Sequence, residues 1–222
     1  MKLSGKENLL LALAGLTGVT LYQFTENLAL DFTTASNVSI IVAICPIFTA
    51  LTSQVFLNEK HLSFNFCLGF CLAFVGVVLV SFNGKINFNL SPKGDILALI
   101  SAICWGFYSL FLTMINKKGY NTILITRKIF FYAILFMIPL MICGVFAENP
   151  KSTAYVELSS ILNVERFSSI LNWILLCFLG IIASGFCFVA WNKACNILGT
   201  VKISTGLYLI PVITIFFAAI FL

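Results

Sequence analysis

GLTGVTLYQFTENLALDFTTASNVSIIVAICPIFTALTSQVFL, residues 15–57, has a second version later in the chain: GIIASGFCFVAWNKACNILGTVKISTGLYLIPVITIFFAAIFL, residues 180–222. At a constant offset of 165 residues, Gly15 falls on Gly180, Asn27 on Asn192, Ala29 on Ala194, Ser39 on Ser204, Pro46 on Pro211, Thr49 on Thr214, Phe56 on Phe221 and Leu57 on Leu222. Eight identities fall in 43 ungapped positions, where apolar composition alone gives roughly three or four, and a fixed-offset match is the mark of an internal repeat. Each proline sits at the middle of an apolar run, and each asparagine near the end of the run before it. Both copies read as helical hairpins.

Composition decides the solvent. Hydrophobic residues make up 60% of the chain and charged residues 9%, with a mean hydropathy of +1.06, whereas a soluble domain carries about a quarter charged residues. Seven apolar runs are each long enough to cross about 30 Å of hydrocarbon at roughly 1.5 Å per residue. They lie near Asn8–Leu30, Ala35–Leu57, Leu62–Phe82, Asp95–Ile115, Ile123–Phe146, Leu171–Ala190 and Val201–Leu222. Lipid satisfies no backbone group, and these runs lack the alternation of a barrel, so they are expected as helices. Lys2 and Lys6 ahead of Leu9–Ala14 imitate a secretory signal. The counterpart of that run, Trp173–Ala190, lies deep inside the chain, which favours a span.

Threading seven spans places Lys2, Lys6, Lys60, Lys117, Lys118, Arg127, Lys128, Lys193 and Lys202 on or beside one face. Lys85, Lys93, Lys151 and Arg166 fall on the other. Nine against four makes the amino-terminal face cytoplasmic, in the plasma (inner) membrane. The net charge of +5 is then an orientation signal and calls for no nucleic-acid partner. All eight cysteines fall in or beside the spans without a C-x-x-C pair and read as buried small hydrophobes. The single histidine, His61, is in a loop without a metal-ligand neighbourhood. No phosphate-binding loop, zinc spacing or nucleophile motif is present, so no enzyme activity, cofactor, metal or ATP-driven step is expected.

The repeated hairpin forms spans one and two and recurs as spans six and seven, a period of five helices. Five is odd, so two joined copies enter the membrane in opposite senses, an arrangement of many secondary transporters. The reading is an all-α integral membrane protein with seven transmembrane helices, drawn from a ten-helix inverted-repeat fold of five plus five. Residues 1–83 form an incomplete first repeat of three helices, and residues 84–222 an incomplete second repeat of four.

Three motifs then resemble a known family. They are Ala29 through Thr33-Thr34-Ala35-Ser36-Asn37 to Pro46-Ile47 and Phe56-Leu57-Asn58-Glu59; Gly69-x-x-x-Ala73-x-x-Gly76-Val77-Val78-Leu79; and Lys93-Gly94-Asp95-Ile96-Leu97-Ala98-Leu99 with Ser101, Ala102, Trp105 and Tyr108. Their order and spacing resemble the EamA family of the drug/metabolite transporter superfamily over nearly the whole chain. The resemblance implies ten helices in two inverted units, of which these are helices three to nine, and movement of small metabolites, often outward.

The candidate substrate site follows from the broken helices. Pro46 and Pro211 each remove an amide donor halfway along a span, freeing the oxygens of Val42 and Leu207 for a midplane ligand, or else bend the helix for packing. Ser36, Ser39, Ala43, Pro46, Ala50 and Ser53 form one small-residue stripe, which either lines a cavity or admits a neighbouring backbone. The partner stripe, Val201, Ser204, Tyr208, Pro211, Ile215 and Ala218, is bulkier. Glu26 lies about four residues, roughly 6 Å, from the outer end of its helix. Tyr22 is one turn away, with Gln23, Thr25 and Asn27 around it. Such a carboxylate gates the outer mouth, binds a substrate amine or carries a coupling proton; alternatively it snorkels to the interface. Trp105 at the middle of span four, with Tyr108 and Ser109 nearby, offers an aromatic wall or plain packing. Asn192, the repeat counterpart of Asn27, completes the candidate set. Gly69, Ala73 and Gly76 are expected as a helix contact, and Lys202 as a snorkelling side chain.

The expected function is a secondary transporter that moves a small organic solute, amino-acid-like or drug-like, by alternating access, with export the favoured direction. The competing readings are a transport-inactive fragment or scaffold, and a seven-helix receptor suggested by span count and a lysine in the last span.

Overall fold

The computed structural model describes residues 3–82, 91–146, 168–209 and 213. Its helices, in chain order, are α1 (Gly5–Phe32), α2 (Ala35–Leu57), α3 (Phe64–Phe82), α4 (Pro92–Asn116), α5 (Thr122–Phe146), α6 (Ile170–Leu198) and α7 (Thr200–Thr205), followed by a 3₁₀ turn at Gly206–Leu209. No strand occurs among the described residues. Five helices, α1, α2, α4, α5 and α6, contain stretches long and apolar enough to cross a membrane. In α3 the apolar stretch is shorter, Phe64–Leu79.

Helix α4 is the axis of the bundle, packed against α1, α2, α6 and α7. Close approach at two glycines makes this possible. A Cβ on Gly18 of α1 would sit 2.2 Å from the Tyr108 ring, and one on Gly106 of α4 would sit 2.8 Å from the Phe48 Cβ. Around these contacts Leu11, Val19, Tyr108, Leu112, Ile129 and Cys195 form one buried cluster from α1, α4, α5 and α6. Helix α5 packs on α1 and on the second half of α6. Helix α3 lies outside, against the first half of α2 and the 3₁₀ turn.

Polar contacts gather one end of the bundle. Ser4 caps α1 in a reciprocal box with Glu7, satisfying orphan amides of the first turn. The Tyr120 hydroxyl, between α4 and α5, donates to Glu7 Oε1 at 2.7 Å. Lys117, just past α4, donates to Glu59 Oε1 at 2.7 Å, and Glu59 meets His61 at 2.9 Å. The hydrogen bonds of Lys117 and His61 hold the Glu59 carboxyl below the usual carboxylate range. Thr122 at the start of α5 meets Asn196 near the end of α6 at 3.5 Å. The start of α1 and the ends of α2, α4 and α6 therefore share this basic end, and α6 runs against α1.

The 165-residue offset is visible in the backbone. Gly5 and Ile170, which open α1 and α6, are 165 apart, as are their caps Ser4 and Ser169. The π-helical stretch Leu16–Leu21 of α1 maps inside the π-helical stretch Phe178–Phe186 of α6. The turn at Ala43 and Ile44 that interrupts α2 maps onto Tyr208 and Leu209 in the 3₁₀ turn after α7.

Several expectations change. Helix α6 extends eight residues past Ala190, because Asn192 finds polar partners inside the bundle that let the helix continue. The span expected over Val201–Leu222 is seen as α7 and the 3₁₀ turn, and most of its remainder lies outside the described residues. The sequence also marks Asn83–Pro92 as the seam between the repeats and Ala147–Ser169 as a polar outer loop, with Tyr155–Leu162 a candidate short interfacial helix, and both stretches fall almost wholly outside the described residues. Among the described residues nothing lies within 4 Å of a Cβ built at Gly69 or Gly76, so the expected contact is not seen there, and α3 turns Phe70 and Val77 inward. Cys45, Cys104 and Cys195 are buried, but Cys67, Cys71, Cys143, Cys177 and Cys187 are exposed. Lipid is as apolar as a protein core, so a cysteine there gains nothing by facing inward. Pro139 lies inside α5, which runs through it as continuous helix, a position the sequence reading left out.

Candidate functional site

Trp105 stands at the middle of α4, and three aromatic rings from three helices surround it. The Tyr22 ring of α1 has its centroid 4.9 Å away, the Tyr108 ring of α4 5.2 Å, and the Trp191 ring of α6 5.6 Å. The Trp105 indole Nε1 is buried and has no hydrogen-bond partner. A buried N–H left unpaired is costly. Glu26, one helical turn beyond Tyr22 on α1, is half-buried. None of the described basic residues forms an ion pair with it. Aromatic faces, one free N–H donor and one unpaired carboxyl thus converge within a few turns of α1 and α4.

A polar layer supports this group. Tyr108 is fully buried, and its hydroxyl donates to Asn192 Oδ1. Asn192, also fully buried, donates from Nδ2 to the Thr126 hydroxyl of α5 at 2.9 Å. Three helices are locked together by one amide. A second chain of hydroxyls runs from Ser204 of α7 to Thr49 of α2 at 3.4 Å and on to Ser109 of α4 at 3.3 Å. Thr52 of α2 donates to the Gly106 carbonyl at 3.1 Å.

The break in α2 has its own partner. The Tyr208 hydroxyl donates to the Ala43 carbonyl at 2.6 Å, across the 165 residues that separate repeat counterparts. Val42 is the carbonyl that loses its donor to Pro46 by simple counting; the oxygen that Tyr208 reaches is the next one, of Ala43.

The candidates divide accordingly. Tyr22, Glu26, Trp105, Tyr108 and Asn192 are brought together, and Pro46, Ser204 and Tyr208 lie at the junction of α2 with α7. Asn27 is exposed and bonds the Gln23 carbonyl of its own helix at 2.7 Å. Ser39 is exposed and bonds the Ser36 carbonyl at 2.8 Å. Neither joins the cluster: Asn27 lies on the exposed side of α1, and the turn at Ala43 divides the small-residue stripe to which Ser39 belongs. Pro46, Ala50 and Ser53 stay buried, and Ser39 swings away. Pro211 lies outside the described residues. Trp191 and Thr126 were missed by sequence reasoning. The offset itself reaches Trp191, which is the counterpart of Glu26; nothing local marks Thr126.

The EamA-like transporter family matches residues 1–82 and 92–222. An uncharacterized transporter of Archaeoglobus fulgidus is 31% identical over 98% of this chain and 69% of its own length. One of Bacillus subtilis is 24% identical over 90% of this chain and 61% of its own. A protein of Streptantibioticus cattleyicolor named a probable terminal-alkyne amino-acid exporter is 24% identical over 96% of this chain and 65% of its own. The chain thus spans 61–69% of the length of these relatives. A solved crystal structure aligns with TM-score 0.58 over 90% of this chain and 66% of that chain, at 19% identity, and shares the fold. The chain is a multi-pass helical membrane protein, and it belongs to the EamA-like transporter family.

Proposed function

We propose that the protein is a secondary transporter of a small organic solute, working by alternating access in the plasma membrane. The observation that carries this reading is the Tyr208 to Ala43 hydrogen bond, which joins counterparts 165 residues apart at the breaks of both copies. Two units of opposite sense, present here as residues 1–83 with three helices and residues 84–222 with four, rock about such a junction and expose a midplane site to each side in turn. The matched π-helical stretches and the opposed directions of α1 and α6 support the same symmetry. The substrate sits against Trp105, Tyr22 and Tyr108. Its acceptor takes the free Trp105 N–H, and Glu26 receives an amine or carries a coupling proton. The exporter of Streptantibioticus cattleyicolor supports an amino-acid-like solute and outward movement. The excess of Lys and Arg at the end bearing Lys117 and Lys202 makes that end cytoplasmic.

Solute flux into vesicles carrying the protein, screened across amino acids, amines and nucleosides with and without a pH gradient, tests the reading. A transported solute whose flux falls in Trp105→Ala and Glu26→Gln supports it. Flux unchanged by both substitutions removes the aromatic group from the path.

A further inference from the structure

Helix α5 carries two cations inside its membrane-crossing stretch, Thr122–Cys143. Arg127 and Lys128 stand five and six residues in from Thr122, roughly 8 Å along the axis at about 1.5 Å per residue. Arg127 is exposed and forms no ion pair with any described residue. Lys128 beside it donates to Asn8 Oδ1 of α1 at 3.1 Å and keeps two further N–H donors. The carboxylates described at this end are engaged elsewhere. Glu7 accepts from the Ser4 amide and the Tyr120 hydroxyl, and Glu59 meets Lys117 and His61. Two adjacent positive charges at this depth repel each other and are costly without an anion.

The surface around them has the shape of an amphiphile. Leu3 and Leu11 from the start of the chain and Leu124 and Ile125 from α5 line, with Arg127 and Lys128, a cleft of about 90 Å³. Both polar side chains of that wall are cationic. Beyond it Leu124, Phe131, Leu135, Ile138 and Ile142 are all exposed, and their spacings of seven, four, three and four residues put them on one face of α5. Arg127 and Lys128 fall between Leu124 and Phe131 on that same face, at its basic end. The track from Leu124 to Ile142 is roughly 27 Å long at about 1.5 Å per residue, more than half the hydrocarbon thickness that an acyl chain has to cover.

We infer that this cleft and the α5 face beyond it bind one anionic phospholipid of the surrounding membrane. Its phosphodiester lies on Arg127 and Lys128, and an acyl chain runs along Leu124, Phe131 and Leu135. The planar fork of arginine matches two phosphate oxygens at once. A choline headgroup would bring a third cation to the two already there, so the site discriminates against a zwitterionic lipid. A soluble phosphate would use the cations and leave the apolar track bare. The inference rests on α5 crossing the membrane and holds whether or not the protein moves a solute.

Native mass spectrometry of the chain in a non-ionic detergent, with dioleoylphosphatidylglycerol and dioleoylphosphatidylcholine at equal concentration, is the test. The phosphatidylglycerol adduct should dominate. A basic residue beside an anionic lipid contributes about fivefold in affinity, so Arg127→Gln/Lys128→Gln should lower the preference for phosphatidylglycerol at least roughly tenfold. Lys193→Gln/Lys202→Gln removes the same charge from the same end and should leave the preference within about twofold, as should Lys128→Arg. Glycerol 3-phosphate in large excess should not displace the lipid. Size-exclusion profiles identify any variant that fails to fold, and the comparison of lipids with glycerol 3-phosphate needs no variant. Equal binding of the two lipids would overturn the inference. So would displacement by glycerol 3-phosphate, which marks a site for soluble phosphate, and so would equal losses in the two double variants, which mark a diffuse attraction.

Discussion

Helices α1 and α6 are counterparts with opposite surroundings. The first half of α1 is packed by α4 and α5, and Leu11, Ala14, Gly15 and Gly18 are buried there. The first half of α6, Ile170–Phe186, buries no residue. Even so, both helices begin from a serine, run through a π-helical stretch at matched positions and continue as α-helix. The backbone path is thus set by the local sequence and by the need to satisfy amides internally, and burial is not required to hold it. Chemistry follows the other rule. Thr20, Tyr22 and Glu26 appear on the packed copy, whereas the equivalent stretch of the second copy is Gly-Phe-Cys with Trp191 in place of Glu26. Symmetry supplies the scaffold and asymmetry supplies the site.

The largest effect that would sharpen this contrast is in the packed copy. Trp105→Ala removes a ring that touches three others, and truncating a packed aromatic costs about 3–5 kcal/mol. Reversible unfolding in mixed micelles should show that loss, and Trp105→Phe should recover most of it while leaving the indole donor absent. Asn192→Ala should cost about 1–3 kcal/mol, since Tyr108 and Thr126 both lose a buried partner. Gly18→Ala should cost a similar amount, about 1–3 kcal/mol, by driving a methyl into the Tyr108 ring. Its counterpart Ala183 is exposed, and Ala183→Leu should stay within about 0.5 kcal/mol. Equal costs at positions 18 and 183 would erase the difference between the copies.

The smallest effect belongs to the basic end. Glu59 is held below its ordinary value by Lys117 and His61. A depressed carboxylate adds stability above its unfolded value and loses it as pH falls through the folded one, so the contribution is whole above about pH 4.5 and fades as pH falls below it. An exposed pair of this kind is worth a few tenths of a kcal/mol. Lys117→Gln should flatten that part of the stability profile.

Much of the fold was legible because hydrocarbon leaves few choices. Apolar run length located α1 to α6 within a few residues, except at the end of α6. There Asn192, Lys193 and Asn196 looked like the end of a span, and only the tertiary partner Thr126 explains why the helix goes on. Trp105, Tyr22 and Glu26 were legible as residues out of place in lipid. Asn27 and Ser39 were chosen from position in the repeat, and the turn at Ala43, invisible to a stripe drawn on an unbroken helix, directs Ser39 elsewhere. Spaces formed where the ends of distant helices meet carry no periodic signal in the sequence.

Ser4 and Ser169 open α1 and α6 and are 165 residues apart. Two upside-down copies require them to face opposite sides of the membrane. Single cysteines placed there, Ser4→Cys and Ser169→Cys in a cysteine-free background, should react with a membrane-impermeant maleimide from opposite sides of sealed vesicles. Labelling of both from the same side would contradict the inverted repeat and the transport mechanism built on it.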